Sequence, residues 1–498
     1  MPQFKGMAEA PEQIWLMARS LDELVPAESD VRAFREVMER LDFRLLEMSY
    51  SEVGRPAYPP RVLAQLMVYA YSKGVRSSRK IEEMAKCDVR YMWLAGGLKP
   101  DHQTIARFRR NRFSELSELF TDSVRVCAAA GLVTLRVGAA DGTKIEANAS
   151  RKSLYDQKRI ERERQEVQRI LEEAEAIDEA EDRAEGVCGG EVPDELRDAE
   201  ARKARLDEIS ERLRESKRKA ISSSDPECRM MKCDGRIRPG YNVQAVVDAD
   251  SLVVAAVLVT EAENDHGQLP QLAEMATQSA GTAPGVVVAD TGYCDEETLK
   301  WVKESGQEVL VPPQKHSQED KREGDEFSSR RFVLDEEKDV MICPKGHELV
   351  FKDERTYDSG TYRRYAGTEC KGCDSQKVCC RGRPSRQVSI SVVHSVRLGM
   401  RDKLETAEGK ALYALRKQSV EPVFGHWKAN LGFRRFLLRG KSGAAAEIAL
   451  ICIAHNVSKC AALGLVLAAD VIFGLFSAIR RPAGTYTPAC QYVAVVRF

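Results

Sequence analysis

The sequence predicts a mixed α/β fold: a mixed sheet with flanking helices, preceded by an all-α N-terminal unit and interrupted by a charged helical hairpin and a small cysteine-containing β-rich insertion. Three observations predict it. Short valine-rich runs at 131–140, 241–260, 285–289 and 308–311 read as strands and alternate with segments of helical periodicity. Residues 155–220 are dense in Glu, Arg, Lys and Ala, with apolar residues at helical spacing on either side of a Gly-Gly-Glu-Val-Pro break. Residues 316–396 are polar, hold five cysteines and show no long helical pattern.

The N-terminal unit, 1–125, is helical by apolar spacing in Val62, Leu66, Tyr69 and Ala70, then Ile81, Met84 and Ala85. Its last predicted helix follows Asp101, a cap residue, and carries Arg107, Arg109, Arg110 and Arg112 beside Ile105 and Phe108. Such a basic helix is either a solvated face or one that meets DNA in the manner of a helix-turn-helix. Residues 131–460 follow as the α/β unit, interrupted at 154–222 by the hairpin and at 316–396 by the insertion, with a tail at 461–498.

A chain of 498 residues exceeds what one compact core usually holds, which fits this division. With 43% hydrophobic and 31% charged residues it has the composition of an ordinary soluble protein. The net charge of -1 neither supports nor excludes a polyanionic partner, so any nucleic-acid surface must be local. The first fifteen residues lack the basic flank and apolar core of a secretory signal. The most apolar stretch, 448–479, is interrupted by His455, Asn456, Lys459 and Asp470, which predicts a buried core helix rather than a membrane span. Fourteen mostly scattered cysteines and no export signal point to free thiols in a reducing cytoplasm.

The chemistry is expected where strands deliver acids. The run 131–140 leads into Asp141-Gly-Thr-Lys, so Asp141 is expected at a strand exit, and the run 285–289 ends in Asp290. Two-metal phosphoryl transfer needs carboxylates converging on one point, because hard divalent ions prefer oxygen ligands. A third acid on a helix packed across the sheet would complete such a set, and Glu421 lies on a predicted helix at 403–428. Spacing alone does not single out these three among 77 acidic residues, most of which are surface or capping groups.

Their surroundings do. Pro100-Asp-His-Gln-Thr-Ile-Ala-Arg-Phe-Arg109, Asp141-Gly-Thr-Lys-Ile-Glu-Ala-Asn, Pro239-Gly-Tyr-Asn-Val-Gln244, Asn264-Asp265, Ala289-Asp-Thr-Gly-Tyr293 and the set Tyr413, Arg416, Glu421 and Lys428 together resemble the DDE transposases of bacterial insertion sequences. The resemblance spans about 54–459. It implies an RNase H-like catalytic domain in which Asp141, Asp290 and Glu421 bind two Mg²⁺ or Mn²⁺ ions and catalyse DNA strand cleavage and strand transfer. It further implies DNA contacts by Tyr413, Lys428 and Arg416, with Lys417 able to replace Arg416. The implied partners are double-stranded DNA, as element ends and target, and a second copy of the chain in the DNA complex. No membrane partner is expected, and the implied location is the bacterial cytoplasm, at the nucleoid. Two other readings stand beside it: an inactive or domesticated DNA-binding relative, and an RNase H-like nuclease without strand transfer.

The insertion carries Cys343-Pro-Lys-Gly-His347, Cys370-Lys-Gly-Cys373 and then Cys379-Cys380. Cys343, Cys370 and Cys373, completed by Cys379, Cys380 or His347, make a candidate structural zinc site; the alternative is an unligated β insertion with incidental thiols.

Overall fold

The computed structural model describes residues 20–50, 56–185, 194–313, 326–357 and 360–478. The expectations for the first fifteen residues, for the Gly-Gly break at 186–193, for 316–325 and for the tail from 479 lie outside them. The N-terminal helices are α1 (Leu21–Leu24), α2 (Asp30–Glu39), α3 (Arg44–Met48), α4 (Pro60–Ser72), α5 (Ser78–Cys87), α6 (Val89–Leu94), α7 (His102–Asn111) and α8 (Phe113–Ala129). Asp101 caps α7 by accepting the Gln103 and Thr104 amides at 2.9 Å, as its position before the apolar spacing predicts.

Strand β1 (Val137–Glu146) opens the central sheet. The chain then leaves it through β2 (Leu154–Asp156), α9 (Gln157–Glu185), α10 (Asp194–Ser216) and β3 (Ala220–Ser222). The two helices pack antiparallel through Ile160 against Ile209 and Leu213, and Val167 against Leu206, above the β2–β3 ribbon. Strands β4 (Arg229–Cys233), β5 (Arg236–Asp248) and β6 (Val254–Thr260) return to the sheet, where β5 lies antiparallel to β1 along one edge and to β4 and β6 along the other. Helix α11 (Leu269–Ala280) leads to β7 (Val286–Val288), and α12 (Glu296–Ser305) to β8 (Val309–Leu310). Both strands are parallel, β7 to β1 and β8 to β7, so the order across the sheet is β6-β5-β1-β7-β8.

A separate antiparallel sheet follows: β9 (Val333–Asp335), β10 (Val340–Ile342), β11 (Glu348–Tyr357), β12 (Gly360–Gly367), then α13 (Gln376–Cys380) and β13 (Gln387–Ser391). It has its own small core of Phe327, Phe332, Met341, Leu349, Tyr365, Val388 and Ile390. Helix α14 (His394–Glu405) precedes α15 (Ala407–Gly425), a π-helical turn at His426–Asn430, and α16 (Gly440–Ala478). The helix predicted at 403–428 is therefore divided. Thr406, in extended backbone, starts α15 and caps it by accepting the Gly409 amide at 2.9 Å.

Helix α16 is the spine of the molecule. It packs on α2, α4 and α8 and on β6. Asn456 of α16 pairs the backbone of Val254 on the edge strand β6, accepting its N–H at 2.9 Å and donating to its carbonyl at 3.0 Å. By length and composition the stretch Gly440–Gly464 passes for a membrane span, yet 78% of its apolar window is buried inside the protein. The helix runs on to Ala478, through the point near 460 where the sequence reading ends the α/β unit.

A buried polar junction ties the helical unit to this spine. Glu447, wholly buried in α16, accepts the Leu437 amide at 2.7 Å and that of Leu438, and faces Arg76 at 3.6 Å. Arg76 also donates to the carbonyls of Arg435 and Gly432, at 2.7 and 3.2 Å. Burial raises the Glu447 carboxyl above its ordinary range, against the pull of Arg109 and Arg76.

Candidate active site

Strands β1 and β7 pair Val137–Ala139 with residues 286–288, so two residues further on each the register sets Asp141 beside Asp290. Asp141 does not end its strand. Thr143 and Ile145 continue the buried alternation and pair with Val243 and Tyr241, carrying β1 on to Glu146. What reads as turn chemistry in Asp-Gly-Thr-Lys is strand with a glycine in a crowded place: a Cβ at Gly142 would stand 2.7 Å from Asp265 Oδ1 and collide with the Gln244 amide. Asp290 does lie just beyond its strand and caps a short 3-10 turn through the Gly292 amide at 2.8 Å.

Helix α15 crosses the sheet at β5, β1 and β7. It brings Arg416 and Glu421 to the acids. Arg416, buried, donates to Asp141 Oδ2 at 2.7 Å and to Glu421 Oε1 at 3.4 Å, so one guanidinium joins carboxylates 280 positions apart in the chain. The Glu421 side chain is half exposed and that of Asp141 is 16% exposed. Burial raises the Asp141 carboxyl to about 6; Arg416 and the Gly142 amide oppose this, while the charges of Asp290 and Asp265 add to it.

Asp265 was no candidate on sequence, although Asn264-Asp265 is part of the resemblance. Its Oδ1 accepts from Asn242 at 2.8 Å and from Gln244, both wholly buried on β5. Gln244 accepts in turn from the Tyr293 hydroxyl, three residues after Asp290. Asp265 Oδ2 and Asp290 Oδ1 flank Gly292, each within 3.1 Å of where its Cβ would be. The available signal was the pair of polar residues at inward positions of an otherwise apolar strand; the five residues from the end of β6 to Asp265 hid the connection.

The residues expected to meet DNA divide. On α7, Arg107 and Arg110 are exposed. Arg109 is buried and directs its guanidinium to the Tyr71 hydroxyl and the Arg76 carbonyl, both at 2.9 Å, which corrects its reading as a phosphate contact. Arg112 is half-buried, stacked over Tyr50 and paired with Glu115 at 3.3 Å. Tyr413 lies under the Arg416 guanidinium, 5.9 Å from ring centre to Cζ. Lys428, on the π-helical turn, donates to the Lys144 carbonyl at 3.1 Å and to Asp234 at 3.0 Å.

In the insertion, Cys343, His347, Cys370, Cys373, Cys379 and Cys380 line one small cavity. The His347 amide points at Cys343 Sγ and the Arg386 amide at Cys370 Sγ, each at 3.4 Å. Cys380 is hydrogen-bonded to Cys370, whereas Cys379 belongs to the apolar core of the insertion. Among the described residues, no three His, Cys, Asp or Glu side chains, here or at the acids, are gathered closely enough to hold an ion as they stand.

Residues 342–461 match the family model of the transposase DDE domain, and residues 19–111 match that of a transposase domain, DUF772. Over these two segments the chain is similar to transposases, and over 342–461 to their DDE domain. Glu421, Arg416, Lys428 and the cysteine sheet from Ile342 onward lie inside the DDE match, and α7 inside the other; Asp141, Asp265 and Asp290 lie outside both matched segments. No curated protein matches the chain.

Proposed function

We propose that the chain binds the ends of an insertion sequence and catalyses metal-dependent DNA strand cleavage and strand transfer, with Asp141, Asp290 and Glu421 as the metal-binding acids. The observation that carries this is the shared Arg416 guanidinium, which joins the first strand's aspartate to the helix glutamate beside the second strand's aspartate. The order β6-β5-β1-β7-β8, antiparallel up to β1 and parallel beyond it, supports an RNase H-like reading of the sheet.

The donor chemistry fits hard divalent cations. Carboxylate oxygens gather around the buried Arg416 guanidinium, and burial, with a smaller push from the charges of Asp290 and Asp265, raises the Asp141 carboxyl to about 6. Two such ions would supply charge neutralisation at the attacking and leaving oxygens of an in-line displacement. The chain's own contribution is placement. Adjacent strands hold Asp141 and Asp290 in register, α15 presents Glu421 from across the sheet, and Arg416 keeps the acids from repelling one another before loading. Purified protein incubated with Mg²⁺ and DNA carrying the element's ends should give nicked, excised and joined products. Specific binding with no cleavage in either Mg²⁺ or Mn²⁺ would favour the inactive relative, and cleavage without joining the simple nuclease.

Asp265, with Asn242, Gln244 and Tyr293, would act as a positioning network for the turn that carries Asp290. Asp265→Asn should leave DNA binding unchanged and raise the Mg²⁺ concentration for half-maximal cleavage by about 10- to 100-fold, the usual scale for groups that orient a metal ligand. An unchanged metal dependence would reduce Asp265 to a structural hydrogen-bond acceptor.

In the insertion, Cys343, Cys370 and Cys373 would take one zinc. Cys380, hydrogen-bonded to Cys370, is a better fourth ligand than Cys379, which packs in the core. The two amides aimed at sulfur suit thiolates, and binding would draw the two cysteine turns together. Protein purified without added metal should carry about one zinc per chain, lost in Cys370→Ser/Cys373→Ser; active, zinc-free wild-type protein would make the thiols incidental.

A further inference from the structure

A cationic surface lies beyond the acids, around the tip of the β4–β5 hairpin. The hairpin closes through Asp234-Gly235, both at positive φ (44° and 81°), a two-residue turn of the primed kind that keeps the strands in tight register. At the tip Lys232 and Arg236 are exposed, and Ile237, opposite Lys232 on the outer face, is 58% exposed. Beside it the segment after the π-helical turn is fastened to the end of β1: the Glu146 amide donates to the Arg434 carbonyl at 3.1 Å and Phe436 donates to the Glu146 carbonyl at 2.8 Å.

That fastening sets two more arginines next to the hairpin, each with 57% of its side chain exposed. Arg434 pairs with Asp234 at 2.7 Å and Arg435 with Glu146 at 2.6 Å. Lys428 shares Asp234, and Arg238 approaches Glu146 at 4.0 Å. Four cations thus share two carboxylates, and Lys232 and Arg236 add to the surplus. The surface is continuous with the acids, because Lys428 holds the carbonyl of Lys144, three residues beyond Asp141 on β1, and follows Glu421 by seven residues.

We propose that the β4–β5 hairpin tip and the Arg434–Arg435 strap form a track for the backbone of the DNA duplex that enters the acidic site, with Ile237 pressed against the groove. Surplus positive charge on a rigid, exposed support is what phosphate contacts require, and an apolar side chain at the tip suits the role of wedges set against base steps. This rests on the DNA-cutting reading and deepens it by naming where the flanking duplex lies.

The test measures binding of the full chain to a fluorescent duplex oligonucleotide over a range of salt. Lys232→Gln/Arg236→Gln/Arg434→Gln should weaken binding on the order of 10²-fold at low salt and flatten the plot of log affinity against log salt by about 0.9 per lost phosphate contact. Arg236→Gln alone should flatten it by about 0.9, and Ile237→Ser should weaken binding without changing the slope. The matched variant Lys203→Gln/Arg212→Gln/Arg214→Gln, which removes the same charge from α10, should behave as wild type. A triple variant with wild-type affinity and slope would overturn the track alone, whether or not the protein cleaves. Losses as large in the α10 variant would overturn it too, as a mere net-charge effect. Wild-type protein that binds as described but never cleaves with Mg²⁺ or Mn²⁺ would overturn the DNA-cutting reading and leave the surface standing; no binding at all would overturn both.

Discussion

Asp141→Asn should abolish Mg²⁺-dependent strand cleavage, a loss of at least the order of 10³-fold, while DNA binding persists and the metal-free protein becomes no less stable. The loss should exceed that for removing a single preorganised hydrogen-bond donor from an active site, because a ligand to the catalytic charge goes with it. The stability arm follows from the sign of the pKa shift. The folded carboxyl titrates near 6, above its ordinary 3.8, so the fold binds the proton more tightly than the unfolded chain does. Metal-free stability therefore falls as pH rises from about 4 to about 6 and is level above that. A bound divalent ion would reverse this cost. Mg²⁺ or Mn²⁺ should raise the melting temperature more at pH 7.5 than at pH 5, and Asp141→Asn should lose that metal response. Cleavage by the asparagine variant at near wild-type rate would remove Asp141 from the chemistry.

The second large effect is expected far from the acids. Glu447→Ala should cost about 3–5 kcal/mol, because it leaves Arg76 and Arg109 charged beside it in a buried junction and strips the Leu437 and Leu438 amides of their acceptor. The melting temperature should fall by roughly 10 °C in a denaturation scan. Glu447→Gln, which keeps one acceptor oxygen for the amides, should cost less. A loss below about 1 kcal/mol in Glu447→Ala would mean that water reaches the junction and the charges are not truly buried.

Much of the mixed sheet was legible because the valine runs are short, apolar and bounded by turn residues, and because Asp101 and the apolar spacing after it mark a helix start. Asp141 was placed one feature too early: Asp-Gly is a turn signal, and only the partner strand reveals that the glycine is there to clear Gln244 and Asp265. The start of α15 was missed for the opposite reason. The helical pattern runs through Thr406, whose capping hydrogen bond divides it locally.

Arg109 was readable in principle. Ile105, Phe108, Arg109 and Arg112 follow helical i, i+3, i+4, i+7 spacing, so two of the four arginines fall on the packed stripe and Arg107 and Arg110 fall off it. What spacing does not carry is the partner. Neither the link from Arg416 to Asp141, 275 residues apart, nor that from Glu447 to Arg76 leaves a local trace.

The seating of α16 has a bearing on anyone who would graft parts between related chains. Its side chains form part of the floor on which α2, α4 and α8 rest, and Glu447 of this helix faces Arg76 of the helical unit. Cut out alone, the first 130 residues would expose the apolar surface that this helix covers. Exchanging them for the corresponding helices of a related chain would leave the donor's helices on a foreign floor, unless the helix that receives them travelled with them. An exchange of the N-terminal helices therefore has to carry α16 with it, from near the far end of the chain.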